Sequence, residues 1–286
     1  MRIRATVAAV TGALALSALA VPFAQADSRD AAGADKPSAA ERFGSSSAKS
    51  AFSTAAEAPT VSNVTVNAGK NLVFGVTTEK TFTVSLTASH PSGIADAYMD
   101  LWHGTDPVED IDGYFPPNEE AATCTPVSAT TSNCKLTITA STYDDLLSNT
   151  LAGSWHVTAA ALSNDGEIYA NDFYKTHKVQ RTSKLTVNAS PEPVKKGKTI
   201  TVTGKLTRAN WEELKYSGIP SGQSVVLQFR KKGSTTYSNV KGIKTTTGGA
   251  LKTTTTASTD GYYRFVYKGI TSTAPATAAG DFVDVQ

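Results

Sequence analysis

Carboxylates that stand close together are the first place to look for general acid–base chemistry, and this chain offers two such pairs, Asp144 with Asp145 and Asp110 with Asp112. Adjacent acidic residues in turns are usually solvated, so a carboxylate-based hydrolase is the weakest of the readings open to the sequence. The four histidines, His90, His103, His156 and His177, stand neither in a zinc-binding pair nor beside a Gly-x-Ser-x-Gly run. Ser46 and Lys49 match a Ser-x-x-Lys pattern, but they lie in a stretch too poor in apolar residues to build the rigid pocket that such a serine needs. The expectation is a non-enzyme with no catalytic residue and no cofactor.

Asp106, Glu109, Asp110, Asp112, Glu119 and Glu120 crowd one loop, and Asp110, Asp112, Gly113 and Glu119 fall on positions of an EF-hand alignment. Val108 occupies the first ligand position and Pro116-Pro117 forbid the exit helix, so no metal ligands are assigned; a calcium site of loop oxygens and a plainly solvated loop both stay open. Cys124 and Cys134 are too far apart for a Cys-x-x-Cys redox pair and lack the further cysteine or nearby histidine of a zinc site, so a disulfide is expected.

Two clusters point to binding rather than reaction. If Met99 and Leu101 face the core, Tyr98, Asp100 and Trp102 line the other face of one strand, two rings flanking a carboxylate, which suits carbohydrate. The opposite orientation buries Trp102 as a core tryptophan, the commoner arrangement. Lys195, Lys196 and Lys198, with Arg230, Lys231 and Lys232, form a candidate anion-binding set whose plainer role is to keep edge strands from pairing. No basic patch interleaved with aromatics argues for nucleic acid as a partner.

The elements that must position these residues are mostly strands. Residues 1–26 read as a signal peptide: Arg2 and Arg4, an apolar run from Ala5 to Ala20, and Ala24-Gln25-Ala26 ahead of Asp27. Ile3 separates the arginines and no cysteine stands ready for a lipid, so the general secretion route is expected, with no later membrane span. Residues 27–58, rich in Ala and Ser, read as a disordered spacer. From Thr60 the apolar period is two: Phe82, Val84, Leu86 and Ala88; then Cys134, Leu136 and Ile138; then Trp155, Val157, Ala159 and Ala161. Turns are marked at His90-Pro91-Ser92-Gly93, Asp112-Gly113 and Asp165-Gly166. The pattern restarts after Arg181 with Ile200, Val202 and Leu206, with Val225, Leu227 and Phe229, and with Tyr263, Phe265 and Tyr267. Thr207 to Tyr216 reads as a short helical insertion. The spacing gives an all-β chain of two sandwiches, 59–181 and 182–286.

Ser92-Gly93-Ile94, and Gly153-Ser154-Trp155-His156-Val157-Thr158-Ala159 leading to Asn164-Asp165-Gly166, resemble signatures of bacterial immunoglobulin-like domains. The second half is similar to a domain met in secreted actinobacterial proteins, through Pro193-Val194-Lys195-Lys196-Gly197-Lys198, Val202-Thr203-Gly204-Lys205-Leu206, Gln228-Phe229-Arg230 and Asp260-Gly261-Tyr262-Tyr263-Arg264-Phe265. The resemblance implies tandem immunoglobulin-like β-sandwiches and no activity.

Charge divides along the same boundary. The formal net charge of +2 conceals net −8 over residues 59–181 and net +9 over residues 182–286. Such asymmetry speaks to partners. The expected function is a secreted binding or structural protein, extracellular or loosely held at the cell wall, that takes an anionic cell-wall polymer or carbohydrate. The alternative is a component of an extracellular assembly, self-associating through contacts between acidic and basic domains.

Overall fold

The computed structural model describes residues 36–43 and 57–286. The signal peptide reading and the Ser46–Lys49 pattern lie outside the described residues. One helical turn, α1 (Ala39–Arg42), precedes the strands. The first half contains β1 (Thr60–Val66), β2 (Leu72–Phe74), β3 (Glu79–Ser89), β4 (Ile94–Asp106), β5 (Asp110–Phe115), β6 (Thr123–Pro126), β7 (Thr131–Ser141), β8 (Gly153–Ser163) and β9 (Ile168–Arg181). They form two sheets, β1-β3-β7-β6 and β2-β9-β8-β4-β5, antiparallel except that β2 runs parallel to β9.

Alternation explains why the sheets close on each other. Phe82, Val84, Leu86 and Ala88 of β3 and Leu136, Ile138 and Ala140 of β7 meet Met99 and Leu101 of β4 and Trp155, Val157, Ala159 and Ala161 of β8 in one buried cluster. A fully buried large apolar side chain is worth about 1.5–3 kcal/mol, so this layer holds the half together. Phe115 stacks on Trp155 at 4.1 Å between ring centres, and the Trp155 indole N–H donates to the Leu151 carbonyl at 2.7 Å. The expected Asp112-Gly113 turn is instead part of β5. A Cβ on Gly113 would come within 2.8 Å of the Trp155 ring, so this glycine serves packing. The chain reverses earlier, at Pro107–Glu109, where the Asp106 carboxylate accepts from the Val108 and Glu109 amides at 2.9 and 3.0 Å.

The second half contains β10 (Ser183–Leu185), β11 (Asn188–Ser190), β12 (Thr199–Asn210), β13 (Lys215–Gly218), β14 (Ser224–Lys231), β15 (Ser238–Lys244), β16 (Ala250–Thr256), β17 (Gly261–Tyr267), β18 (Ala276–Thr277) and β19 (Asp281–Val283). β12 centres one sheet, pairing with β10, β11, β13 and β16; β14 and β17 centre the other, flanked by β15, β18 and β19. Ile200, Val202, Leu206 and Leu251 meet Val225, Leu227, Tyr263, Phe265 and Tyr267 in a second buried cluster. The whole is an all-β chain of two sandwiches, the architecture that the resemblance to immunoglobulin-like domains implies.

The helical insertion expected at Thr207 to Tyr216 is a β-hairpin. β12 continues to Asn210, the chain turns at Leu214 with φ 48°, and β13 pairs back from Asn210↔Lys215 to Thr207↔Gly218. Its tip carries Trp211 into the core of the first sandwich, so a tertiary contact overrides a helical composition. Asn149 organises the join: its Oδ1 accepts from Arg181 at 2.6 Å and from the Trp211 amide at 3.1 Å, and its Nδ2 donates to Asn210 at 2.7 Å. No helix among the described residues is long and apolar enough to cross a membrane.

Candidate functional site

The outer face of the sheet β2-β9-β8-β4-β5 carries a buried polar cluster. Met99 and Leu101 enter the core, so Tyr98, Asp100 and Trp102 occupy the outer face, and all three are buried there, Asp100 and Trp102 completely. Across the strands they meet Ala160, Thr158 and His156 of β8, and Trp102 also meets Tyr114 of β5. Trp102 stacks on His156 at 4.4 Å, and Phe173 stands edge-on to both rings at 5.1 and 4.9 Å. The rings expected to form a carbohydrate platform are therefore on the right face of the strand but present no open surface for a sugar to stack on.

Two devices cover them. A bulge in β9 separates the pairs Val157↔Lys175 and Ala159↔Asn171, and the extra residues fold Asp172 and Phe173 over the face. The Trp102 indole donates to the Asp172 carbonyl at 3.0 Å, and the Thr158 hydroxyl donates to the Asp172 carboxylate at 3.1 Å. The second device is residues 36–43, part of the stretch read as a disordered spacer; here they are ordered against the sandwich. Ser38 and Glu41 make a capping box, the Ser38 amide donating to Glu41 at 2.7 Å and the Glu41 amide to the Ser38 hydroxyl at 3.2 Å. Arg42 donates to the Glu119 carbonyl and stands 5.2 Å over the Tyr98 ring. Lys36 reaches under the cover, its side chain 2% exposed. Its ammonium pairs with Asp172 and lies 3.8 Å from Asp100 Oδ2. Pro37, Ser38 and Glu41 then line a cleft with Pro107, Val108 and Asp172.

The electrostatics follow from the burial. Desolvation pushes the Asp100 carboxyl up, against the opposing pull of the Lys36 ammonium and of the Thr158 and Tyr98 hydroxyls. The Tyr98 hydroxyl donates to Asp100 Oδ2 at 2.8 Å and shares a 2.8 Å hydrogen bond with Tyr114; burial first and then Asp100 push both phenols up. Asp100 Oδ1 is buried without a partner among the described residues. Lys36, Asp172, Thr158 and Tyr114 are the members that sequence reading missed; only the Ser38–Glu41 capping box signals that this stretch of spacer is structured.

The second cluster lies at one end of the second sandwich. The turn carrying Lys195, Lys196 and Lys198 is closed by Lys198 N–H to Lys195 O at 3.1 Å with Gly197 at φ 80°, and Lys196 donates through its amide to Gln286 O at 2.8 Å. The turn carrying Lys231 and Lys232 reaches the same segment through Asp260. That carboxylate accepts from the Val285 amide at 2.9 Å and pairs with Lys232 at 3.5 Å, contacts that hold its pKa below the usual range. The three lysines of the first turn and both of the second are exposed. Arg230 is different: it donates to Ser234 O at 2.5 Å and stacks on Tyr262 at 4.1 Å, while Arg264 stacks on Tyr237 at 3.6 Å. The sequence shows no basic patch with interleaved rings, yet folding builds one here from residues on β14, β17 and the loop before β15.

The remaining candidates are structural. Cys124 and Cys134 are direct cross-strand partners on β6 and β7 and form a disulfide. Asp144 and Asp145 cap the turn after β7, Asp145 accepting from the Ser141 amide at 2.7 Å and Asp144 from the Ser141 hydroxyl at 3.1 Å. In the acidic loop Asp112 pairs with His103 at 2.5 Å and Glu119 accepts from the Thr137 amide at 2.8 Å. Among the described residues, no group of three His, Cys, Asp or Glu side chains is gathered as a metal site.

A family model described as "Family of unknown function (DUF5707)" matches residues 74–161, the central part of the first sandwich. No curated protein matches the chain. Among solved structures, the chain is similar to dimeric latent PorU from Porphyromonas gingivalis, with 13% identity, 79% of this chain and 20% of that chain covered, and a TM-score of 0.26. The ectodomain of mouse nectin-like molecule 4 gives 15% identity over 80% of this chain and 65% of that one, TM-score 0.24. The D00-D0 domain of intimin gives 15% identity over 77% and 99%, TM-score 0.24. The chain thus spans a fifth of the first of these proteins and just under two thirds of the second.

Proposed function

We propose that this protein is secreted and non-enzymatic, and that it binds an anionic polymer of the cell envelope through the basic end of its second sandwich. One observation carries this reading: two lysine turns remote in sequence, Lys195–Lys198 and Lys231–Lys232, are tied to one end of a module of net +9 by a shared partner segment, residues 284–286 with Asp260. Five exposed ammonium groups at one end suit a repeating anion, because each contact is weak when solvated but the contacts sum along a polyanion. Arg230 and Arg264, stacked on tyrosines, extend the positive surface with side chains that lose little freedom on binding. The disulfide and the signal-peptide pattern support an oxidising, extracytoplasmic setting.

The test is co-sedimentation of the full-length protein with washed cell walls over a salt series. Retention that falls steeply from low to physiological salt, and is lost in the triple variant Lys195→Glu, Lys196→Glu, Lys198→Glu with unchanged circular dichroism, is the expected result. Equal retention of parent and triple variant would overturn the reading.

A further inference from the structure

A buried ion pair is weak evidence of stability, since removing two charges from water costs several kcal/mol per ion. That makes the docking of residues 36–43 odd. The turn brings no large apolar side chain beyond Phe43, and its anchor is a lysine ammonium, 2% exposed, placed between two carboxylates. The surroundings are those of a reaction site. An amine nucleophile lies against the carboxyl group of Asp172, and a second carboxyl group, Asp100, lies 3.8 Å from the amine, with Tyr98, Trp102, Tyr114, His156 and Phe173 around them.

We propose that Lys36 and Asp172 condense spontaneously into an amide, an intramolecular isopeptide bond that fastens the N-terminal segment to the first sandwich, with Asp100 relaying a proton. In this reaction a bond forms between Lys36 Nζ and Asp172 Cγ, and one Cγ–O bond of Asp172 breaks. Two of the three ammonium protons and the departing oxygen leave as water; no oxidant, metal or cofactor enters the balance. One proton first crosses the ion pair from the ammonium to the Asp172 carboxylate, leaving a neutral amine beside a carboxylic acid; Asp100 then takes a second proton from the amine as it attacks, passes it to the departing hydroxyl, and ends in the state in which it began. Of its two oxygens, Oδ2 stands 3.8 Å from Lys36 Nζ and is held by the Tyr98 hydroxyl at 2.8 Å, while Oδ1 is buried with no partner among the described residues. Burial raises the proton affinity of Asp100, the direction a relay acid needs. Folding supplies the effective concentration that two free side chains lack, and the aromatic walls limit water where the amide forms. Asp172 keeps about a third of its side chain exposed, which gives the water a way out. The product replaces two buried charges with one neutral group.

Mass spectrometry of the intact, non-reduced, full-length protein tests this directly, with the N-terminus read from the same preparation. The expected mass is that of the linear chain less two hydrogens for the disulfide and less one water. After reduction and trypsin, a branched species should join the peptide of residues 30–42 to that of residues 136–175, with fragment ions placing the link at Lys36 and Asp172. Lys36→Arg, which retains the buried cation, and Asp172→Ala should each give the unlinked mass. Asp100→Asn should leave the link largely unformed while the disulfide still closes. A folded parent protein without the water loss would overturn the proposal and leave an ordinary ion pair. A link that forms equally fast and fully in Asp100→Asn would overturn the role of Asp100.

Discussion

Replacing Trp211 with alanine should destabilise the first sandwich, although Trp211 belongs in sequence to the second. The indole is 2% exposed and sits in the cluster with Leu146, Leu151 and Trp155. A buried tryptophan removes roughly 150–250 Å² from water, worth about 4–6 kcal/mol at 25 cal/mol per Å². The alanine methyl retains a little of that and the cavity relaxes in part, so the expected loss is about 3–5 kcal/mol, the usual range for such truncations. The Trp211 indole N–H is buried without a partner among the described residues, so Trp211→Phe removes an orphan donor along with some volume and should cost about 1 kcal/mol or less. Urea unfolding followed by fluorescence would give the free energies. Amide exchange in β8 would show which sandwich responds, because Trp155 on that strand donates to Leu151 at 2.7 Å, in the loop that Asn149 ties to the hairpin. If Trp211→Ala costs less than about 0.5 kcal/mol, the range of a surface change, or leaves β8 exchange untouched, the hairpin does not support the first core.

Removing the disulfide by Cys124→Ser with Cys134→Ser should cost roughly 2–3 kcal/mol on the chain-entropy estimate for so short a loop, read as a drop in urea midpoint under oxidising conditions. His177, buried with Nε2 unpartnered among the described residues, has its pKa lowered below 6.5 by desolvation, so the unfolded chain binds the proton more readily than the folded one. Stability from this group is complete above pH 6.5 and is lost as the pH falls from there towards the depressed folded value; His177→Phe should flatten that part of the stability–pH profile, and an unchanged slope would refute the assignment. Gly249→Ala should destabilise the β12–β13 region by more than about 1 kcal/mol, because φ is +76° and the added Cβ would come within 2.0 Å of the Leu206 carbonyl oxygen; a neutral thermal midpoint would show that the turn can reshape.

The period-two alternation of Phe82 to Ala88, Trp155 to Ala161 and Tyr263 to Tyr267 was enough to assign strands and to say which side chains enter a core, because one-sided burial of a pleated strand leaves a local mark in the sequence. The same holds for Cys124 and Cys134 and for the turn at Asp165-Gly166, whose determinants lie within a few residues. Other outcomes were invisible locally. Whether Tyr98, Asp100 and Trp102 face water depends on what lies over them, and the cover comes from a bulge 70 positions later and from a lysine more than 60 positions earlier. Thr207 to Tyr216 became a hairpin because Trp211 finds its burial in the other sandwich, a contact that helical composition does not report. The two lysine turns share an end because residues 257–260 and 284–286 both run between them. Local patterning sets the strands and their inner faces; the pairing of distant charges, the covering of outer faces and the seat of Trp211 depend on packing between remote segments, which only the tertiary structure decides.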